Sequence, residues 1–217
     1  QPVSSQYPYA QPLMVLHQLT GRLPDEKGMA SMGVHFIRAE AVAAIGQAFS
    51  SGSLPVEKTV AVIDKQGTRH LARARVGTPV GSLLNTFGVQ VNDQDKIIFG
   101  GPMTGNAIYS EDLPIRPDTD AILVQDKRVI PLYSDYPCIN CGDCVRICPA
   151  NVPVNLLVRF LEAGQYTEGA DLYDLYSCIE CGLCSYVCVS RIPIYQYIKL
   201  AKYEIGRTIS AEEMNEQ

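Results

Sequence analysis

Eight cysteines, all between Cys138 and Cys188, constrain this chain more than any other feature. They read Cys138-Ile-Asn-Cys141-Gly-Asp-Cys144-Val-Arg-Ile-Cys148-Pro149 and then Cys178-Ile-Glu-Cys181-Gly-Leu-Cys184-Ser-Tyr-Val-Cys188. Both are C-x2-C-x2-C-x3-C, the spacing that ligates a pair of [4Fe–4S] clusters. Three thiolates with two residues between each let a short loop wrap one cubane. The fourth Cys is expected at the start of a helix, pointing at the neighbouring cluster, which it ligates in two-cluster proteins. One metal site is therefore assigned to Cys138, Cys141, Cys144 and Cys188. The other takes Cys178, Cys181, Cys184 and Cys148.

Gly142 and Gly182 sit between the second and third ligands, where the backbone must pass close to inorganic sulfur and a tight loop often needs positive φ. Backbone N–H groups aimed at sulfur there would favour added negative charge. Pro149 can redirect the chain after Cys148; the matching place in the second motif is Val189. Structural zinc pairs two C-x2-C units across a longer stretch, which fits four cysteines in eleven residues poorly. A disulfide framework needs a secreted context, and no signal peptide is visible. The spacing thus implies a reducing, cytosol-like compartment.

Charge divides the chain as the cysteines do. Residues 1–130 carry twelve acidic and twelve basic side chains, while residues 131–217 carry eleven and six and so hold the whole net charge of −5. Ligating thiolates would make that half more negative still, a face suited to a basic patch on a partner and sensitive to salt. With no basic stripe, nucleic acid is not an expected partner. With 47% apolar residues the 217-residue chain can build a sizeable core, and no apolar run nears the roughly 18 residues of a membrane span. It begins at Gln1 without an initiator Met, which reads as a processed chain or a cut-out piece.

The periodicity predicts an α+β protein in three parts: a partial α/β remnant over 1–52, a β-grasp-like unit over 53–130, and an all-α, ferredoxin-like two-cluster domain over 131–217. In the last, two short helices are expected between the motifs. Asn151 or Asn155 would cap the first, Leu156, Leu157, Phe160 and Leu161 would form its apolar face, and Gly164 would end it. Gly169 would lie near the start of the second, with Leu172, Leu175 and Tyr176 as its face. Ile194, Ile198, Ala201 and Ile205 predict a last helix that Gly206 would stop. Nine of the twelve tyrosines lie here and read as an amphipathic shell around the clusters.

In the first half, residues 60–63 and 70–74 read as paired strands around Lys65-Gln66-Gly67. A helix follows near Val80–Phe87, with Thr78 as N-cap and Pro79 in its first turn. Asn92 to Asp95 is a turn, and Lys96–Phe99 and Ala121–Val124 are strands. Gly100-Gly101-Pro102-Met103-Thr104-Gly105 is either a tight structural turn or a ligand or partner contact, since it lacks the P-loop Lys and Ser/Thr. Upstream, Leu13–Leu19 reads as helix, Gly33–Ile37 as strand, and Glu40–Phe49 as a helix with Ala41, Ala44, Ile45 and Ala48 on one face; Ser50 to Ser53 is a linker. A 52-residue α/β fragment must pack on the rest of the chain or on a partner. His17, His35 and His70 are scattered and read as structural. No catalytic set and no complete substrate site is visible.

Taken in order, these pieces resemble the C subunit of the Rnf complex, the membrane-associated ferredoxin:NAD⁺ oxidoreductase. Gln6-Tyr7-Pro8 and Leu19-Thr20-Gly21-Arg22 look like the family's segment near the end of its flavin/NADH-binding domain. Gly77-Thr78-Pro79-Val80 and Gly100-Gly101-Pro102-Met103 resemble its SLBB (soluble-ligand-binding β-grasp) domain. Cys178-Ile-Glu-Cys181-Gly through Ile192-Pro193 and Gln196-Tyr197 looks like its second cluster motif. The family's large N-terminal domain is missing, its glycine-rich tract after Tyr-Pro is replaced by Tyr9-Ala10-Gln11-Pro12, and Arg38-Ala39-Glu40-Ala41 stands where Asn-Val-x-Thr is usual near the flavin. FMN and NADH are accordingly not expected on this chain.

The resemblance implies an electron-transfer subunit, peripheral on the inner face of the cell membrane. Its two [4Fe–4S] clusters would relay single electrons between a ferredoxin or flavoprotein side and other subunits of a membrane redox complex. Two rivals stand beside it: a component of a corrinoid-reducing flavoprotein system, and an SLBB docking module whose clusters only hold the fold.

Overall fold

The structure, a computed structural model, describes residues 4, 6–22, 29–134 and 136–215, without the side chains of 30, 31, 209 and 211–215. The chain divides into two compact units, residues 16–130 and residues 1–15 with 131–217. The first helix, α1 (Pro12–Thr20), spans that division.

The unit over 16–130 is built on a five-stranded mixed sheet in the order β2-β1-β5-β3-β4. Its strands are β1 (Glu57–Ile63), β2 (Arg69–Arg75), β3 (Lys96–Phe99), β4 (Asn106–Ile108) and β5 (Ala121–Gln125). β1 and β2 form the expected antiparallel hairpin, with Val60 opposite Ala72. Asp64 builds its turn by accepting N–H bonds from Gln66 (2.9 Å) and Thr68 (2.8 Å), while Gly67 takes φ 83°. β5 returns parallel beside β1, so the chain between them must cross over, and α3 (Val80–Thr86) lies in that crossover.

Alternation along β1 turns Val60 and Val62 inward to meet Val80, Leu84, Ile115, Ile122 and Val124 in the core. Lys58 shares that inward face and is 6% exposed. It is satisfied by the Pro117 carbonyl (2.9 Å) and Asp120 (3.0 Å), with Glu40 at 3.5 Å.

Several expectations for this half are corrected. Thr78 does not cap α3; Pro79 is the N-cap, and the Val80 and Gly81 N–H groups donate instead to the Leu113 and Glu111 carbonyls. Gly33–Ile37 is not a strand, because no described segment pairs with it. A 3-10 turn (Met29–Met32) and α2 (Ala39–Ser51) flank it, so the βα pattern expected of an α/β remnant is absent from the described residues. α2 runs into the expected linker and ends at Gly52 in the left-handed conformation. Its Ala44 and Ala48 are half-buried, but Ala41 and Ile45 are exposed. The helix is held at its N-terminal end, where Glu40 accepts the Thr59 N–H (2.8 Å) and Arg38 pairs with Asp120 (2.5 Å).

The short strand β4 was not expected; it closes a hairpin with β3 across the Gly100–Gly105 loop. That loop is a tight turn. Gly105 donates to the Gly101 carbonyl, and a Cβ on Gly105 would lie 2.5 Å from Ile98 Cγ2 and 2.7 Å from the Phe99 oxygen. His70 stacks on Phe87 (4.8 Å) with Asp64 at 3.5 Å, a structural placement.

The second unit is helical: α4 (Asp143–Arg146), α5 (Val154–Glu162), α6 (Tyr166–Leu172), a 3-10 turn (Leu175–Ser177), α7 (Leu183–Val187) and α8 (Ile194–Asn215). Its core joins Val154, Leu157, Val158 and Leu161 of α5 to Leu175 and to Ile194, Ile198 and Ala201 of α8. Leu156 faces out, so the buried face of α5 is rotated from the expected one. Neither asparagine caps α5: Asn151 has φ 55°, and Asn155 lies inside the helix behind Pro153. Gly164 does end α5, with φ 74°.

Gly169 sits mid-helix in α6, because a Cβ there would press on Phe160 (3.2 Å) and Leu161 (3.3 Å) of α5. Leu172 and Tyr176 are exposed, leaving Leu175 alone in the core. Gly206 does not stop α8; it keeps helical φ, which costs a glycine only about 1 kcal/mol relative to Ala. No described helix is long and apolar enough to cross a membrane.

Candidate metal centre

Each cysteine motif folds the same way. The residue before the second Cys takes the left-handed conformation (Asn140 φ 59°, Glu180 φ 56°), as does the glycine after it (Gly142 φ 80°, Gly182 φ 76°). Each glycine N-caps a single helical turn, α4 or α7, which carries the third Cys inward. The fourth Cys does not start a helix; Cys148 and Cys188 follow the ends of α4 and α7, where the chain turns. Those turns are closed by Asn151 N–H on the Cys148 carbonyl and Arg191 N–H on the Cys188 carbonyl. Val189 serves as well as Pro149 because the left-handed residue two places on, Asn151 or Arg191, redirects the chain.

Two cavities result. One is ringed by Cys138, Cys141, Cys144 and Cys188 and floored by Val158, Ile192 and Ile194. The other is ringed by Cys178, Cys181, Cys184 and Cys148 and floored by Val154 and Ile198. The fold brings all eight predicted cysteines together in two sets of four, and each set borrows its fourth member from the other motif. All eight are free thiols. Among the described residues no three His, Cys, Asp or Glu side chains close on a point as one ion would require. The sulfurs ring a space instead, and a soft, four-thiol donor set with apolar flooring fits an iron–sulfur cubane.

The two surroundings differ. Cys141 is exposed, with Ile139 beside it, whereas its counterpart Cys181 is buried; Cys144 and Cys184 are buried alike. Burial pushes the Cys144 thiol up to about 11 and the Cys184 thiol up to about 12. Burial also raises Cys178, against the opposing pull of the Glu180 N–H, 3.4 Å from its sulfur, and of the Lys202 charge. Arg146 pairs with Asp143 and reaches the Cys141 carbonyl at 3.2 Å. Tyr195 is buried beside the second cavity, and that burial pushes its hydroxyl up to about 12. The Tyr7 hydroxyl donates to the Cys181 carbonyl. The tyrosine shell is therefore partial: Tyr133, Tyr136, Tyr176, Tyr186 and Tyr203 are largely exposed.

Sequence reasoning missed Asn155, Glu180, Tyr195, Lys202 and Tyr7. The signal for the first four was the 40-residue offset between motifs, which continues past the cysteines through Val152/Ile192 and Pro153/Pro193.

Residues 137–192 match the family described as 4Fe-4S dicluster domain. Residues 137–192 are a 4Fe-4S dicluster domain. Similarity to known proteins extends well beyond that domain. The chain is 31% identical over 172 residues to the C subunit of the ion-translocating oxidoreductase complex of Rhodobacter capsulatus, a match covering 77% of this chain and 33% of that protein. It is 35% identical over 156 residues to the protein of the same description from Yersinia enterocolitica, covering 69% and 22%. It is 28% identical over 156 residues to the C subunit of the Na(+)-translocating ferredoxin:NAD(+) oxidoreductase complex of Acetobacterium woodii, covering 70% and 35%. The chain spans about a third or less of the length of these curated relatives.

Proposed function

We propose that this chain is the electron-relaying part of the C subunit in an Rnf-like complex, passing single electrons through two [4Fe–4S] clusters. The observation that carries this reading is the interlocking of the two cysteine rings, each completed by a thiol of the other motif. Cys138, Cys141, Cys144 and Cys188 would hold one cluster; Cys178, Cys181, Cys184 and Cys148 would hold the other. Each bound cluster would supply a one-electron couple. The chain's own residues wrap the sulfurs, exclude water behind Val158 and Ile198, and fix the spacing of the two sites by sharing ligands across them. Adjacent, cross-braced sites suit a relay better than two independent structural knots.

The sheet unit reads as an SLBB-type β-grasp. A β1–β2 hairpin, the crossover through α3 and the insertion of β5 parallel to β1 support that reading. In this proposal residues 53–130 dock against a neighbouring subunit, residues 1–52 belong to the end of a flavin/NADH-type domain, and residues 131–217 carry the clusters. Other subunits of a membrane redox complex are the partners, with a ferredoxin or flavoprotein as donor or acceptor. The chain sits peripherally, on the inner face of the membrane.

Cys148→Ser tests the ligand assignment. After anaerobic reconstitution, EPR of the reduced protein should show the Cys178/Cys181/Cys184 cluster disturbed and the other intact. Disturbance confined to the Cys138/Cys141/Cys144 cluster would overturn the crossed assignment.

A further inference from the structure

The two motifs are related by a 40-residue offset that runs beyond the cysteines into the following helices. α5 starts after Pro153 and α8 after Pro193, and each sends the same two positions to its cavity, Asn155 and Val158 in one, Tyr195 and Ile198 in the other. The residue before the second Cys is held by the following helix in both motifs, but from a different helix position and with different chemistry. In the first motif Asn155 Nδ2 donates to Asn140 Oδ1 at 2.8 Å, a neutral clamp. In the second, Glu180 takes the place of Asn140 and pairs with Lys202 of α8 at 2.8 Å. Lys202 Nζ also donates to the Cys178 carbonyl at 2.9 Å, and its side chain is only 22% exposed. The position of Lys202 on α8 corresponds to Glu162 on α5, so the charge is reversed between the halves.

We propose that Glu180 and Lys202 act as two opposed charges on the reduction potential of the cluster held by Cys178, Cys181, Cys184 and Cys148, each holding the other's effect in check. The inference rests on the ligand assignment proposed above. Reduction adds one negative charge to a cluster. A cation fixed at a ligand's own carbonyl stabilises the reduced form, and a carboxylate beside it opposes it. Because each charge offsets the other, the pair holds the second site near a set value, and removal of either member must move the potential in opposite senses.

EPR-monitored potentiometric titration of the reconstituted full chain tests this, with Cys148→Ser used to label which signal belongs to the second cluster. Lys202→Gln should lower that cluster's midpoint, and Glu180→Gln should raise it. Each should change the oxidised-to-reduced ratio at fixed poise by roughly two- to fivefold, the scale of a partly exposed ion pair. The double variant and Lys202→Arg should lie near the unsubstituted protein, and the first cluster should not move. Shifts in the same direction, no shift, or loss of the cluster in either single variant would make the pair merely structural and overturn the inference alone. Labelling that puts Cys148 on the first cluster would overturn the ligand assignment, and the inference with it.

Discussion

Single glycines decide whether the loops of both units can form. Gly142 and Gly182 hold positive φ where the chain must double back between two ligands. Gly182→Ala should cost about 1–2 kcal/mol of left-handed strain, read as earlier iron release on thermal challenge. Gly105 is constrained by space instead. Its missing Cβ would meet the Gly101 oxygen at 2.6 Å and Ile98 at 2.5 Å, so the backbone must shift. Gly105→Ala should destabilise the sheet unit by about 1–3 kcal/mol, seen as a lower midpoint in denaturant.

Asp95 gives a pH prediction at the same scale. Its carboxylate accepts from Lys65, from the Asn92 N–H (2.7 Å) and from the Lys127 N–H (3.0 Å), which hold its pKa down to about 2. A depressed carboxylate contributes stability that is complete above its ordinary value of 3.8 and is lost as pH falls through about 2. An NMR titration of the Asp95 carboxyl carbon should show its midpoint near pH 2; a midpoint near 4 would contradict the bonding described. The glycines next to the ligands were legible because the spacing alone forces a tight loop there. Gly105 and Asp95 were not, since what constrains them comes from Ile98 and Lys127, whose nearness to them depends on how the hairpin and strands are arranged.

At the scale of elements, the hydrophobic period located helices and strands well and their faces less well. Leu157 and Leu161 were placed correctly, while Leu156 and Phe160 were preferred over Val154 and Val158. Only the packing of α5 against α6 and α8 fixes that rotation, with Gly169 giving the room for close approach. Leu157→Ala should therefore cost about 2–5 kcal/mol and Leu156→Ala well under that, a contrast measurable by denaturant unfolding of the loaded protein. Gly33–Ile37 has the composition of a strand but lacks a described neighbour with which to pair. Gly206 lies within a helix long enough to absorb it. Ends of elements depend on such context, and Thr78 illustrates it: its capping role is taken by backbone carbonyls of residues 111–113.

For the whole molecule, the surplus of acid in the cysteine-bearing half and the pairing of motifs belong to one design. All the net charge of −5 falls on the half that carries the thiols. Association with a basic partner surface should therefore weaken as salt rises, which ultracentrifugation with candidate membrane subunits at two ionic strengths would report. The grouping of the eight cysteines into two crossed sets of four was readable in the sequence because C-x2-C-x2-C-x3-C leaves few geometries open. The charged clamp around the second set was not, because Lys202 reaches it from 22 residues beyond Glu180. The most direct test of the relay is anaerobic iron and acid-labile sulfide analysis of the reconstituted chain, with EPR of the reduced state. Two interlocked cubanes require about eight iron and about eight sulfide per chain, with signals from both clusters. About four of each, with one signal, would contradict the two-cluster relay.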